Sequence, residues 1–335
     1  MSNKGKILVI GGAGYIGSHV SLSFLDRGYQ VTVFDNLSTG IRENVPLAAD
    51  FVFGDIENSA DLSKVLESEN EFAGVVHLAA LKAAGNSMKE PGLYAKSNIS
   101  ATINLLDAIS KSKIKHFIFS SSAAVYGDPT YLPVDEDHPT KPNNFYGFTK
   151  LAIEDLLKWF EQLKGIHSTN LRYFNAAGYD KDGRIGGVEH TTENLIPLVM
   201  EVAVGKREKL MIFGDDYDTP DGTCVRDYVH VTDIALAHVL AFERSQKTGE
   251  SLNVNLGVGR GYSVFEVLQA ARESSGHVIP TELVAKRSGD SPTTYAKVNF
   301  AEEKLGWKAT HSSLKEIVET MWNQYRRVCL TDKTK

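Results

Sequence analysis

Cysteine is almost missing from this chain of 335 residues: Cys224 and Cys329 are too few to staple a fold, and their separation matches no metal-ligand spacing. Two reduced thiols are therefore expected, which places the chain in the cytoplasm. No apolar run approaches a membrane span, so no membrane partner is expected. Lys4 and Lys6 precede only four apolar residues before a glycine cluster, which reads as a strand start and not a secretory leader. Without a leader, the Asn-x-Ser sequons at Asn36 and Asn98 are coincidences. Basic residues are also in deficit, 36 Lys and Arg against 42 Asp and Glu, giving a net charge of -6. That balance argues against nucleic acid or an anionic membrane surface as partner. Several chemistries are absent too. The ten histidines form no His-Glu-x-x-His motif and no Gly-x-Ser-x-Gly elbow occurs, which removes the zinc and serine hydrolases. The acidic loop at 215–222 suggests calcium, but a calcium-loop register from Asp216 puts Pro220 at its fifth position and lacks the closing glutamate. No metal is expected there, and His230 is expected to be structural.

What is present is a regular alternation. At 42% apolar content the chain can bury one large core and a smaller second one. Short β-branched runs at 6–10, 30–34, 50–53, 74–78, 116–120 and 167–172 alternate with longer stretches at 15–26, 93–112 and 146–163. In the longer stretches apolar residues recur every three to four positions, so helices are expected there. The alternation predicts an α/β fold, a Rossmann-type doubly wound parallel sheet with helices on both faces. After about Phe174 the regularity gives way to loops at 178–193 and 214–222. A smaller mixed α/β C-terminal domain is expected there, spanning 175–335, with 227–257 returning to the sheet domain of 1–174.

Right after the first apolar run stands Gly11-Gly12-Ala13-Gly14-Tyr15-Ile16-Gly17. Gly11, Gly14 and Gly17 at this spacing permit a tight turn, a close backbone approach to a pyrophosphate and close helix-strand packing. A pyrophosphate would meet the amide-rich start of the helix beginning near Tyr15 and Ile16. A glycine cluster alone is more often an ordinary turn, but this one follows a strand and opens a helix. Eighteen residues after Gly17, Asp35 ends the second strand, where a carboxylate accepts ribose hydroxyls and repels a 2′-phosphate. NAD is thus expected over NADP. Asp55 and Ile56, after the third strand, are placed to bracket the adenine, though Asp55 equally suits a cap of the next helix.

Far downstream, Tyr146 and Lys150 lie four apart, one turn from each other on one helix face. A phenol is a weak base at neutral pH, but a nearby ammonium and a cationic nicotinamide both favour the phenolate. Ser122, at the C-terminal end of an expected parallel strand, sits where open α/β sheets put ligands and can orient a substrate alcohol. Tyr-x-x-x-Lys occurs by chance on many helices; only the glycine fingerprint upstream gives it weight. In this order the segments describe oxidation of a hydroxyl by a nicotinamide.

These residues resemble the extended short-chain dehydrogenase/reductase family, and in particular its UDP-hexose 4-epimerase branch. The likeness runs through Gly11 to Gly17, Asp35-Asn36-Leu37, Gly54-Asp55-Ile56, His77-Leu-Ala-Ala-Leu-Lys82, Phe119-Ser-Ser-Ser-Ala-Ala-Val-Tyr-Gly127, Tyr146 to Lys150, Arg172-Tyr-Phe-Asn175, Asn194-Leu-Ile-Pro197, Ile212-Phe-Gly214, Val225-Arg-Asp-Tyr-Val-His230 and Gly289-Asp290. The resemblance implies that Asn36, Leu37, Ser38, Leu78, Ala79, Lys82, Asn98, Tyr173 and Phe174 join the NAD site with Tyr146 and Lys150. It implies that Asn175, Asn194, Leu195, Phe213, Arg226, Tyr228, Arg287 and Asp290 hold a UDP-hexose beside Ser122 and Tyr146. Read alone, Arg226 and Arg287 would be solvated partners of Asp227 and Asp290; the resemblance makes them phosphate ligands.

The same resemblance implies reversible inversion at C4 of UDP-glucose and UDP-galactose through a 4-keto sugar, with NAD retained, in galactose metabolism. It assigns NAD binding to 1–174 and the UDP-sugar mainly to 175–335. Nucleotide-sugar 4,6-dehydratases and decarboxylases are similar but carry an acid just after the active-site serine or threonine, where this chain has Ala123-Ala124. A non-catalytic NAD-sensing protein would have lost the Tyr-x-x-x-Lys pair. Thr294 corresponds to a position beside the sugar that is bulky in enzymes confined to plain hexoses, so room for N-acetylated UDP-hexosamines is implied. A homodimer through the helices at 93–112 and 146–163 is implied as well.

Overall fold

A computed structural model describes residues 4–66, 71–189, 192–287 and 289–330. The β-branched runs become β1 (Lys6–Ile10), β2 (Gln30–Asp35), β3 (Asp50–Phe53), β4 (Phe72–His77), β5 (His116–Ser122) and β6 (His167–Tyr173). Later strands are β7 (Asn175–Ala177), β8 (Leu210–Phe213), β9 (Val225–Arg226), β10 (Tyr228–His230), β11 (Leu252–Leu256), β12 (Tyr262–Ser263), β13 (Thr281–Val284) and β14 (Thr293–Thr294). The helices are α1 (Tyr15–Asp26), α2 (Ser59–Leu66), α3 (Ala84–Ser87), α4 (Pro91–Tyr94), α5 (Ala101–Ser110), α6 (Phe145–Lys164), α7 (Leu195–Ala203), α8 (Val231–Thr248), α9 (Val264–Ser275), α10 (Asn299–Leu305) and α11 (Leu314–Leu330).

Seven strands form one sheet in the order β11-β6-β5-β4-β1-β2-β3, each neighbouring pair parallel. Apolar side chains cover both faces, as a parallel sheet requires. One face packs Val9, Val33 and Ile118 with Phe24 of α1 and Phe242 of α8. The other packs Leu8, Ile10 and Phe117 with Leu62, Leu105 and Leu157 of α2, α5 and α6. The strand order reverses between β1 and β4, which opens a crevice at their carboxyl ends.

A second core joins Ile196 and Val199 of α7, Leu268 of α9 and Met321 of α11 with Ile212 and Tyr228. Small sheets build this lobe: β10-β7, β12-β9-β14 and β13-β8. The expected helix at 93–112 is interrupted, because α4 runs into a π-turn at Ala95–Ser100 before α5. The two lobes are tied along α1. The Tyr15 hydroxyl donates to the Gly178 carbonyl, and His19 Nε2 accepts from the Asp180 amide at 3.0 Å. Arg184 reaches both carboxylate oxygens of Asp26 at 3.0 Å.

Candidate active site

The glycine segment has the shape its spacing requires. Gly11 adopts a φ of +80°, and a β-carbon there would lie 2.6 Å from the Ala79 amide nitrogen. One on Gly17 would lie 2.1 Å from the Gly11 carbonyl, so α1 approaches β1 only through glycine. At Gly14 a β-carbon would meet only the Gly11 oxygen, at 3.3 Å; the berth in front of α1 is otherwise open. Gly14 caps α1 without a side chain, and the first turn holds no acid, leaving amides and the positive helix end facing that berth. These are the properties a pyrophosphate needs. Leu78 and Ala79, whose amides both donate to the Ile10 carbonyl, form the neighbouring wall.

Asp35 is buried, with Oδ2 accepting from the Ala13 amide at 3.0 Å and Oδ1 from the Leu37 amide at 2.8 Å. Burial raises its pKa, and the two amides oppose the rise. Leu37 takes a φ of 56°, a strained region for a branched residue, directly after the carboxylate that holds its amide. Asn36 bridges this turn, donating to Asp55 Oδ2 at 2.9 Å and accepting from the Ser38 amide at 2.9 Å. Asp55 caps the turn at Glu57, whereas α2 is capped by Asn58; the helix-cap alternative for Asp55 is thereby settled. The Ile56 side chain belongs to the sheet core. Tyr15 turns its ring toward the second lobe, so only its backbone faces the berth. Ile16 packs on the first core. Lys82 pairs with Glu189 from the second lobe, which the sequence reading missed.

Asn98 sits in the π-turn with its side chain fully engaged: Oδ1 accepts from the Leu81 amide at 2.9 Å, and Nδ2 donates to the Leu81 carbonyl and Thr149 Oγ1, both at 3.0 Å. It clamps the loop after β4 to α6. Phe174 packs with Val125, Val134 and Ala296 beneath the cleft.

Ser122, Tyr146 and Lys150 converge at the end of β5. Asn144 starts α6 by accepting from the Gly147 amide at 2.9 Å, which fixes Tyr146 and Lys150 in its first two turns. The Ser122 hydroxyl accepts from the Ala124 amide at 3.1 Å and stands beside the Tyr146 phenol. Lys150 is buried; its ammonium donates to the Ser120 carbonyl at 2.8 Å and lies 4.8 Å from the Phe119 ring centre and 5.7 Å from that of Tyr146. The Tyr173 hydroxyl meets Ser120 Oγ.

The expected lowering of the Tyr146 pKa is not what the protein alone provides. Burial and Tyr173 push it well above its ordinary value, and the neighbouring Ser122 hydroxyl opposes the rise. Tyr146 is only half-buried by surface, but its close packing makes desolvation the largest effect. Lys150 moves the other way, down to about 7, because burial disfavours its charge, with Glu154 opposing.

The second lobe gathers most of its expected residues around β9. Arg226 pairs with Tyr262 of β12 and Thr294 of β14 in the small sheet. Asp290 lies between two guanidiniums, 2.8 Å from Arg287 Nε and 3.9 Å from Arg226. Arg287 stacks 4.5 Å from the Phe213 ring centre. Asp227 is not the partner of Arg226: it is fully buried, and its carboxylate accepts from the amides of Val258, Gly259 and Ala296. Asn194 caps α7 with no side-chain cap bond and is exposed, while Leu195 leans on the second core. Asn175 spends its amide on the Asp227 carbonyl at 2.8 Å, and Tyr228 is buried. His230 caps α8 by accepting from the Thr232 amide and meets Thr320 at 3.0 Å. Two arginines on one carboxylate leave a local positive balance in an acidic protein, suited to a diphosphate.

Known proteins match this arrangement. The model of the NAD dependent epimerase/dehydratase family matches residues 7–257. A UDP-glucose 4-epimerase of Corynebacterium glutamicum is 45% identical over 317 residues, spanning 95% of this chain and 94% of the relative. The crystal structure of UDP-glucose 4-epimerase from Brucella ovis in complex with NAD superposes with a TM-score of 0.93 at 43% identity, covering 96% of this chain and 98% of that one. The UDP-glucose 4-epimerase from Bifidobacterium longum in complex with NAD+ and UDP gives 0.90 at 37%, over the same shares of 96% and 98%. The chain belongs to the NAD dependent epimerase/dehydratase family and, within it, to the UDP-glucose 4-epimerases.

Proposed function

We propose that this protein interconverts UDP-glucose and UDP-galactose by inverting the C4 carbon, as an isomerase that retains NAD. The observation that carries the reading is the convergence of Ser122 and Tyr146 on the buried Lys150, whose ammonium lies 5.7 Å from the Tyr146 ring centre, at the sheet end next to the glycine berth. When bound, NAD supplies a reversible hydride acceptor at C4. The berth of Gly11, Gly14, Tyr15, Ile16 and Gly17 would hold its pyrophosphate. Asp35 with Asn36, Leu37 and Ser38 would hold the adenosine ribose, Asp55 and Ile56 the adenine side, and Leu78, Ala79, Lys82, Asn98, Tyr173 and Phe174 the remaining walls. Residues 1–174 form the cofactor domain in this reading, and 175–335 mainly the sugar-nucleotide domain.

Tyr146 takes the proton from the C4 hydroxyl and returns it, with Ser122 orienting that hydroxyl. Lys150, where charged, favours the phenolate against the burial that opposes it. Arg226 and Arg287 hold the diphosphate and Asn194, Asn175, Leu195, Phe213, Tyr228 and Asp290 shape its berth. Anchoring the nucleotide firmly while leaving the sugar few contacts lets the 4-keto ring present its other face, so binding energy is placed away from the reacting ring. Ala123 and Ala124 put no acid beside the base, so elimination of water lacks a proton donor there.

The apolar face of α5 and α6 supports a homodimer. Ile99, Ile103, Phe148, Leu151, Leu156 and Trp159 line a groove of about 440 Å³, and Trp159 is 61% exposed. A second copy of this chain, laying the same helix pair against it, would bury the patch. The Tyr146→Phe variant tests the mechanism: UDP-galactose turnover is expected to fall by about a thousandfold or more with NAD still bound, and near-normal turnover would remove Tyr146 from its role.

A further inference from the structure

The proton-transfer groups stand on α6 and β5, and one buried ionic cluster behind them joins both elements to β6. Glu154 lies one turn beyond Lys150 and two beyond Tyr146 on α6, and is fully buried. Its Oε1 accepts from Ser121 Oγ at 2.6 Å and from Arg172 Nε at 2.9 Å; its Oε2 accepts from Arg172 at 2.6 Å. Arg172 faces Ser121 in the sheet register and precedes Tyr173. Its remaining nitrogen donates to the Tyr126 hydroxyl at 2.9 Å, which donates to Asn255 of β11 at 2.7 Å. Ser121 is flanked by Ser120, whose carbonyl holds the Lys150 ammonium, and by Ser122, the neighbour of the Tyr146 phenol.

An apolar pair of equal volume would pack this site without the cost of burying two charges. What an apolar pair cannot do is fix orientation. A guanidinium fork on a carboxylate sets the angle as well as the distance between its two elements, and the serine hydroxyl extends the constraint to the third. We propose that Glu154 is a positioning residue for proton transfer: through Ser121 and Arg172 it sets the spacing of Ser122, Tyr146 and Lys150 without touching the substrate. Its charge also opposes the loss of the Lys150 proton that burial favours. The proposal rests on the roles given above to Ser122, Tyr146 and Lys150.

The test compares Glu154→Gln, Ser121→Ala and Tyr146→Phe as full-length, NAD-loaded proteins, measuring kcat and KM for UDP-galactose and bound NAD per folded molecule. Glu154→Gln is expected to lose about a hundredfold in kcat, the scale of a misplacement near 1 Å, with KM and NAD content unchanged. Ser121→Ala keeps the ion pair and is expected to lose about tenfold in kcat alone. A merely structural role would lower folded yield and leave kcat per loaded molecule within about twofold, which overturns the proposal. If Glu154→Gln does not fold, Ser121→Ala decides by the same criterion. Normal turnover by Tyr146→Phe would overturn the assignment of the base and the proposal with it; an inactive Tyr146→Phe beside full-rate Ser121→Ala and Glu154→Gln overturns the positioning role only.

Discussion

Tyr146 and Lys150 have opposite problems. Burial raises the pKa of one and lowers that of the other, so each is pushed toward its neutral form. Ser122 and Glu154 work against the two shifts, and the proposed use of the phenol as a base depends on that opposition. Thr294 bears, in the same reading, on substrate range. It stands opposite Arg226 in the small sheet and is only partly buried, at a position where the resemblance implies room beside the sugar. The protein is accordingly expected to turn over UDP-N-acetylgalactosamine as well as UDP-galactose. Thr294→Tyr should cost the first at least about tenfold in kcat/KM while sparing the second; no activity of the unmodified protein on the N-acetylated sugar defeats the expectation. Tyr146, Lys150, Ser122 and the glycine segment were legible because their spacing is local and repeats in one register. Glu154, Arg172, Asp227 and Glu189 were not, since each works through partners distant in sequence. A charged residue on the inner face of α6, or amid a buried strand, was the one available signal.

The elements were legible where period and caps agree. The strands expected at 6–10 and 50–53 and the helix at 15–26 match β1, β3 and α1, because apolar periodicity ends there at glycines or turn residues. The helix expected at 93–112 is broken by a π-turn that sequence period does not record, and that turn is what aims Asn98 at Leu81 and Thr149. The tie between α1 and the second lobe was also hidden, since His19 reads as one more polar helix residue. Its Nδ1 meets the Tyr15 carbonyl at 2.8 Å while Nε2 accepts from the Asp180 amide, which requires the neutral ring. Burial lowers the pKa of His19 to about 4 and that of His230, at the start of α8, to about 3. The unfolded chain takes up these protons near 6.5, so between that pH and about 4 it binds more protons than the folded protein. This stability is complete above about 6.5 and lost as pH falls. Thermal unfolding should therefore drop in midpoint from pH 7 to pH 4, with a shallower slope for His19→Gln, whose amide oxygen can still accept from Asp180. An unchanged slope in that variant would show that the α1 contact does not titrate.

At the scale of the whole molecule, the fold supplies two things the site residues cannot. The crevice between β1 and β4 brings residues 11–17 and 146–150 to one place, and the second lobe gathers Arg226 and Arg287 on Asp290 from more than fifty residues further on. The apolar groove on α5 and α6 lies outside that cleft. Sedimentation should give a dimer for the unmodified protein and a monomer for Trp159→Glu, because a carboxylate in a buried apolar interface goes unpaired; a monomeric unmodified protein rules the interface out. The reaction itself is tested by following the hydrogen on C4. UDP-galactose carrying deuterium at C4 should yield UDP-glucose with the deuterium still on C4, with no reduced cofactor released and no exchange with water. Loss of the deuterium to the medium, or its appearance at another carbon, would mean that C4 is not inverted by removal and return of its own hydrogen.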